Sequence, residues 1–142
     1  LITGSFAVND LQQLATGTID TSELAMTVMA EVCSIYSWRN EACINAGVLA
    51  LTRESGPLAG IARVRDPARD GWIVARVSQE HGILAFDEAY KPRRQVEDDW
   101  KVGDKIELDV QHTCIVAAAY SQYFITDEAG IVIDIWRPWK LW

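Results

Sequence analysis

The sequence predicts a mainly β domain, and three observations carry that reading. Six or seven segments of strand character recur along the chain with few helical stretches between them. Ile106, Leu108 and Val110 share one face of a run whose other face is Glu107 and Asp109, the period-two pattern of a half-buried strand. Gln122 to Thr126 and Ile131 to Trp136 flank Asp127-Glu-Ala-Gly130, the form of a β-hairpin with a four-residue loop.

Taken in order, Asn9 and the following Asp10 to Thr16 read as a two-turn helix with Asn9 as N-cap and Gly17 as the residue that ends it. Over Glu23 to Tyr36 helix and strand readings compete, and the alternation of Met26, Val28, Ala30 and Val32 with the β-branched content favours the strand. Ala42 to Thr52 reads as a buried strand bent at Gly47. Arg53 to Asp70, broken by Gly56-Pro57, Gly60 and Pro67, reads as a loop with room for one short strand. Trp72 to Val77 and Gly82 to Phe86 are strands separated by Ser78-Gln-Glu-His81, and Val102-Gly-Asp-Lys105 is a turn into the strand Ile106 to Val110.

The chain has 142 residues, 49% hydrophobic and 23% charged, enough for one core without disulfides. A net charge of −7 argues against nucleic acid or anionic lipid as partner. Lys91 to Arg94, faced by Glu97, Asp98 and Asp99, reads as a solvated loop. Three cysteines, none in a CxxC pair, support neither a disulfide framework nor a zinc ribbon and point to a reducing compartment. The longest apolar run, Ile115 to Ala119, is far too short to span a bilayer, and no signal peptide is evident. The start at Leu1 reads as the continuation of a longer chain.

Chemistry concentrates at two places. His112-Thr-Cys114 follows the alternating strand, and in an extended segment residues two apart project from one face. Imidazole and thiolate together suit zinc better than magnesium or calcium. From spacing alone the plainer reading, a packed cysteine beside a hydrogen-bonded histidine, stands first. Glu80-His81 offers an imidazole beside a carboxylate, equally the signature of a turn held by side-chain hydrogen bonds. Cys33 and Cys43 read as small core residues, and Trp139 and Trp142 as anchors of the last strand. No P-loop, GxGxxG, GxSxG or HExxH motif occurs.

Six segments in order, Gly4-Ser-Phe-Ala-Val-Asn-Asp-Leu-Gln-Gln13, Asn45-Ala-Gly47, Ser78-Gln-Glu-His-Gly82, Val102-Gly-Asp104, His112-Thr-Cys114 and Trp136-Arg-Pro-Trp139, resemble the C-terminal part of the eukaryotic D-serine dehydratase and D-threonine aldolase family, especially its fungal members. The resemblance spans essentially the whole chain. It implies a β-rich, barrel-like C-terminal domain over 18–142, preceded over 1–17 by the end of an alanine-racemase-like catalytic barrel that this chain is too short to contain. It implies two cofactors, pyridoxal phosphate held mainly by that barrel and zinc held by His112 and Cys114. The family's aldolases use aspartate where this chain has Cys114, which favours D-serine dehydration to pyruvate and ammonia.

Glu80 and His81 would then stand beside metal or substrate. The resemblance further implies a small D-amino acid substrate, a homodimer formed through the full-length enzyme and a cytoplasmic location. The chain alone would be inactive, because none of Lys91, Lys101, Lys105 or Lys140 lies in a matching motif. A non-catalytic β module for assembly or regulation is the alternative, and either reading expects an exposed apolar patch where the domain meets a barrel. The chain has Gln111 and Phe6 where the family usually has asparagine and tyrosine.

Overall fold

The structure, a computed structural model, describes residues 5–139. Six antiparallel strands close into a barrel: β1 (Val28–Tyr36), β2 (Glu41–Ile44), β3 (Ala62–Val64), β4 (Trp72–Val77), β5 (Gly82–Phe86) and β6 (Lys105–Val110), in the order β1-β2-β5-β4-β3-β6. The mainly β prediction therefore holds, and β4 and β5 lie where their patterns placed them. Two further strands, β7 (Tyr123–Thr126) and β8 (Val132–Trp136), form a separate hairpin. Among the described residues four short α-helices accompany the strands, α1 (Leu11–Leu14), α2 (Val48–Leu51), α3 (Val96–Asp99) and α4 (Thr113–Ala119), with three single 3-10 turns.

Alternation decides what fills the barrel. Val28, Ala30 and Val32 of β1, Ala42 and Ile44 of β2, Val74 of β4, Leu84 of β5 and Ile106, Leu108 and Val110 of β6 all point inward and are buried. A six-stranded barrel is narrow, so its interior is a packed core rather than a channel. Small Ala30, Ala42 and Ala62 make room for the larger neighbours.

One end is closed by aromatic rings. Trp72 meets Phe86 and Trp100 edge to face at 5.5 and 6.2 Å, and Val96 of α3 packs beneath them. The buried Trp72 indole N–H donates to Asp99 Oδ2 at 2.6 Å, and Arg94 pairs with the same carboxylate. Part of the basic stretch expected as a solvated loop is thus tied down, because a buried indole N–H needs an acceptor and that acceptor needs a cation.

Register fixes the opposite end. Ile44 faces Gly82, Gly82 faces Val77, and Ala62 faces both Val74 and Val110. The segments 45–47, 53–61, 78–81 and 111–112 therefore emerge together. Helices α2 and α4 cover this end, inserting Leu51 and Val116.

Four local expectations are corrected. Asn9 takes a left-handed φ of 53°, and Asp10 is the N-cap of a helix that ends at Leu14. The run Ala42 to Thr52 divides into β2 and α2 at Gly47, where the chain must turn over the barrel end. Cys33 is exposed rather than buried, because Val28, Ala30 and Val32 take the inward positions of β1 and strand alternation leaves Cys33 on the outer face. Trp139 is fully exposed and anchors nothing among the described residues, and Trp142 lies outside them.

Candidate functional site

His112 and Cys114 do not lie on one extended strand. His112 is the extended N-cap residue of α4 and Cys114 sits in its first turn, exposed, while Thr113 and Val116 face the core. The seven residues Thr113–Ala119 make about two helical turns, and a helix here buries Val116 while satisfying its own backbone where no sheet partner is available. His112 is half-buried, and its Nδ1 stands 3.7 Å from Glu54 Oε2 in the loop after α2.

The first turn of α4 is held by a residue far away in sequence. Asp10 is 3% exposed; its Oδ1 accepts from Gln13 N at 2.9 Å, and its Oδ2 accepts from Thr113 N at 3.1 Å. One carboxylate thus caps α1 and α4 at once. Gln12 N donates to Gln111 O at 3.3 Å, which adds a second tie between the N-terminal segment and the start of α4.

Gln111, which stands where the family usually has asparagine, is buried and turned away from His112. Its Nε2 donates to Leu58 O at 3.0 Å and Gly60 O at 2.7 Å, pinning the 56–60 loop. A Cβ on Gly56 would meet Gln111 Oε1 at 2.5 Å. The longer side chain therefore serves the loop wall. Phe6, in place of the family's tyrosine, is 74% exposed.

Glu80 and His81 occupy the 78–81 turn, which docks on α2: Val48 N donates to Ser78 O at 2.8 Å and Leu49 N to Gln79 O at 3.2 Å. A Cβ on Gly47 would lie 2.5 Å from backbone atoms of Ser78, Gln79 and His81, so only glycine permits this approach. Both side chains are exposed, and among the described residues no hydrogen bond or ion pair joins them to His112 or Cys114. The structure brings all four residues to one barrel end without joining them into one cluster.

The donor set is one nitrogen and one sulfur. The Glu54 carboxylate lies near His112 Nδ1 at 3.7 Å, beyond hydrogen-bond reach, on the side where a carboxylate partner of a metal-binding histidine stands. Two ligands are fewer than a closed structural site requires, and among the described residues no group of three metal-ligating side chains occurs. The residues fit an open zinc site that needs ligands from elsewhere. The described lysines do not fit a pyridoxal phosphate site: Lys91, Lys101 and Lys105 are all exposed, and Lys105 is paired with Glu31.

Sequence reasoning missed Glu54 and the double cap by Asp10. Asp10 could have been found as an acid three residues before Gln13 at a helix start; Glu54 carries no local signal.

Residues 25–126 match the family described as "Putative serine dehydratase domain". The D-serine dehydratase of Schizosaccharomyces pombe is 38% identical over 98% of this chain and 33% of its own length. The chain thus spans about a third of the length of the curated relatives it matches. An alanine-racemase-like protein from Idiomarina loihiensis, 27% identical, superposes with a TM-score of 0.81 over 95% of this chain and 37% of its own.

D-threo-3-hydroxyaspartate dehydratase shares the fold at 22% identity. Its histidine-to-alanine variant gives a TM-score of 0.83 over 94% of this chain and 36% of its own, and its cysteine-to-alanine variant, solved metal-free, gives 0.82 over 94% and 37%. No helix among the described residues is long and apolar enough to cross a membrane. From its match across the whole barrel and both covering helices, the chain belongs to the serine dehydratase domain family.

Proposed function

We propose that this chain is the metal-bearing C-terminal domain of a pyridoxal-phosphate-dependent D-amino-acid lyase, most like D-serine dehydratase, with residues 18–142 as the domain and 1–17 as the end of the preceding barrel segment. The observation that carries the reading is the placement of His112 and Cys114 at the start of a helix fixed by Asp10, with Glu54 facing the imidazole.

Zinc held by His112 and Cys114 would supply a Lewis acid for the substrate's β-hydroxyl, while pyridoxal phosphate, bound by the rest of the full-length protein, would supply the electron sink. This chain's residues perform the supporting work. Glu54 places a carboxylate near the Nδ1 side of His112, Asp10 fixes the helix that presents Cys114, and α2 with the 78–81 turn walls the site. Glu80 and His81 extend from that wall toward substrate. In D-threo-3-hydroxyaspartate dehydratase the two variant positions are two residues apart, as His112 and Cys114 are, and the cysteine variant is described as metal-free.

The exposed hairpin fits a domain that packs against a catalytic barrel in a cytoplasmic homodimer. Phe124, Val132, Ile133, Ile135 and Trp136 are each more than 40% exposed on β7 and β8. The activity would then belong to the full-length enzyme and not to this chain alone.

Metal analysis tests the zinc assignment. The full-length protein should hold one zinc per chain, lost in His112→Ala and in Cys114→Ala, with far-ultraviolet dichroism unchanged. Equal zinc content in wild type and both variants would overturn it. The lyase assignment is tested separately by pyruvate release from D-serine by the full-length protein.

A further inference from the structure

The outer wall of the barrel carries a second arrangement of soft side chains, independent of the α4 site. In the β1–β2 ladder Val32 faces Ile44 and Ser34 faces Cys43, so β1 advances two residues while β2 advances one. The extra residue of this bulge is Cys33. In a bulge two residues of one strand oppose a single residue of the other, so Cys33 and Ser34 together stand against Cys43. Val32, Ala42 and Ile44 are fully buried and fill the interior, whereas Cys33 is exposed and Cys43 half-buried on the outside. Both thiols are free.

We propose that Cys33 and Cys43 form a reversible dithiol–disulfide pair on the outer wall of the barrel, taking a low-molecular-weight disulfide as oxidant. Ser34, the register partner of Cys43, and Cys33 beside it both stand across the ladder from Cys43, and Cys33 acts electrostatically on the Cys43 thiol, so the two sulfurs are neighbours on the outer face. A disulfide spans Cα separations of about 4.4–6.8 Å, a range typical of residues opposed across paired strands.

The two thiols differ in a way that sets the order of steps. Burial, with the neighbouring Cys33, pushes the Cys43 thiol up, while the Ser34 hydroxyl bonded to it pulls the other way. Cys33 is the accessible sulfur, its thiol directed at Glu31 O at 3.6 Å. Cys33 attacks the small disulfide, forming a mixed disulfide and releasing one thiol. Cys43 then attacks the Cys33 sulfur, releasing the second thiol and closing the protein disulfide. Two electrons pass from the cysteine pair to the oxidant, and the two thiol protons leave on the two released thiols.

Oxidised glutathione is the probe. The 142-residue chain is incubated with it under native conditions, quenched in acid, alkylated and digested with trypsin, which cleaves after Arg39 and separates the two cysteines. A linked pair of peptides containing Cys33 and Cys43 is expected, removed by dithiothreitol. The glutathione-buffered equilibrium should favour this bridge at least about tenfold more than in the urea-unfolded chain. Cys43→Ser should stop at glutathione on Cys33, and Cys114→Ser should leave the bridge unchanged. Two separate glutathione adducts in the wild-type chain, a first adduct on Cys43, or a bridge no more favoured than in urea would each overturn the proposal.

Discussion

Replacing Asp10 with alanine removes two helix caps in one step. Oδ1 accepts from Gln13 N and Oδ2 from Thr113 N, and the carboxylate is 3% exposed, so water cannot take its place without a rearrangement. Loss of an N-cap costs about 0.5–2 kcal/mol. Here there are two, and the buried Thr113 N–H is also left without an acceptor, which places the total at about 2–4 kcal/mol. For a domain of this size that corresponds to a fall in Tm of roughly 6–15 °C.

Asp10→Asn keeps one oxygen acceptor and turns an N–H₂ group toward the other donor, so it should recover about half of the loss at most. Asp20→Ala is the control. It removes only an exposed side chain beside a short 3-10 turn and leaves the bond from Asp20 N to Glu23 Oε2 in place, so it should cost below about 1 kcal/mol. Urea unfolding followed by tryptophan fluorescence measures all three. A midpoint for Asp10→Ala within experimental error of the Asp20→Ala midpoint, at unchanged slope, would refute the double-cap argument.

Other substitutions probe neighbouring parts of the same frame. Gly47→Ala forces a Cβ against three backbone atoms of the 78–81 turn and should cost about 1–3 kcal/mol, with the amide resonances of Gln79 and His81 displaced; unchanged resonances would contradict the close approach. Gln111→Ala leaves the Leu58 and Gly60 carbonyls without their donor and should increase proteolysis within the 56–60 loop while sparing the barrel strands; equal cleavage of both chains there would count against it.

Asp99 sets an acid limb of stability. Burial pushes its carboxyl up, but the bonds from Arg94 and Trp72 and the nearby Arg94 and Arg69 charges outweigh it, leaving the group below the ordinary carboxylate range. A lowered folded-state value means that the stabilisation is present above the ordinary range and is lost as pH falls through and below it. Asp99→Asn should flatten that part of the stability–pH curve, and an unchanged slope would exclude Asp99 as its source.

Much of the barrel is legible in the chain because inward residues alternate. The pattern of Ile106, Leu108 and Val110 is that of a strand with one face in a core, and it survives any arrangement of neighbours. The turn at Ser78 to His81 and the hairpin loop at Asp127 to Gly130 are equally local, since polar residues and glycine interrupt the apolar runs there. His112 and Cys114 stand out in the sequence through the family resemblance, since their spacing alone favours a packed cysteine beside a hydrogen-bonded histidine.

Tertiary structure decided the rest. Ile115 to Ala119 is too short for its period to separate helix from buried strand, and what makes it a helix is a barrel end that needs a plug without offering a strand partner. The cap that starts this helix comes from a residue 103 positions away, and the carboxylate beside His112 comes from a different loop. The bulge that sets both Cys33 and Ser34 against Cys43 belongs to the paired strands and has no mark in the local sequence. Strand identity is set by side-chain period, a local property. Which residues meet at the barrel end is set by register and closure, which exist only once all six strands have paired.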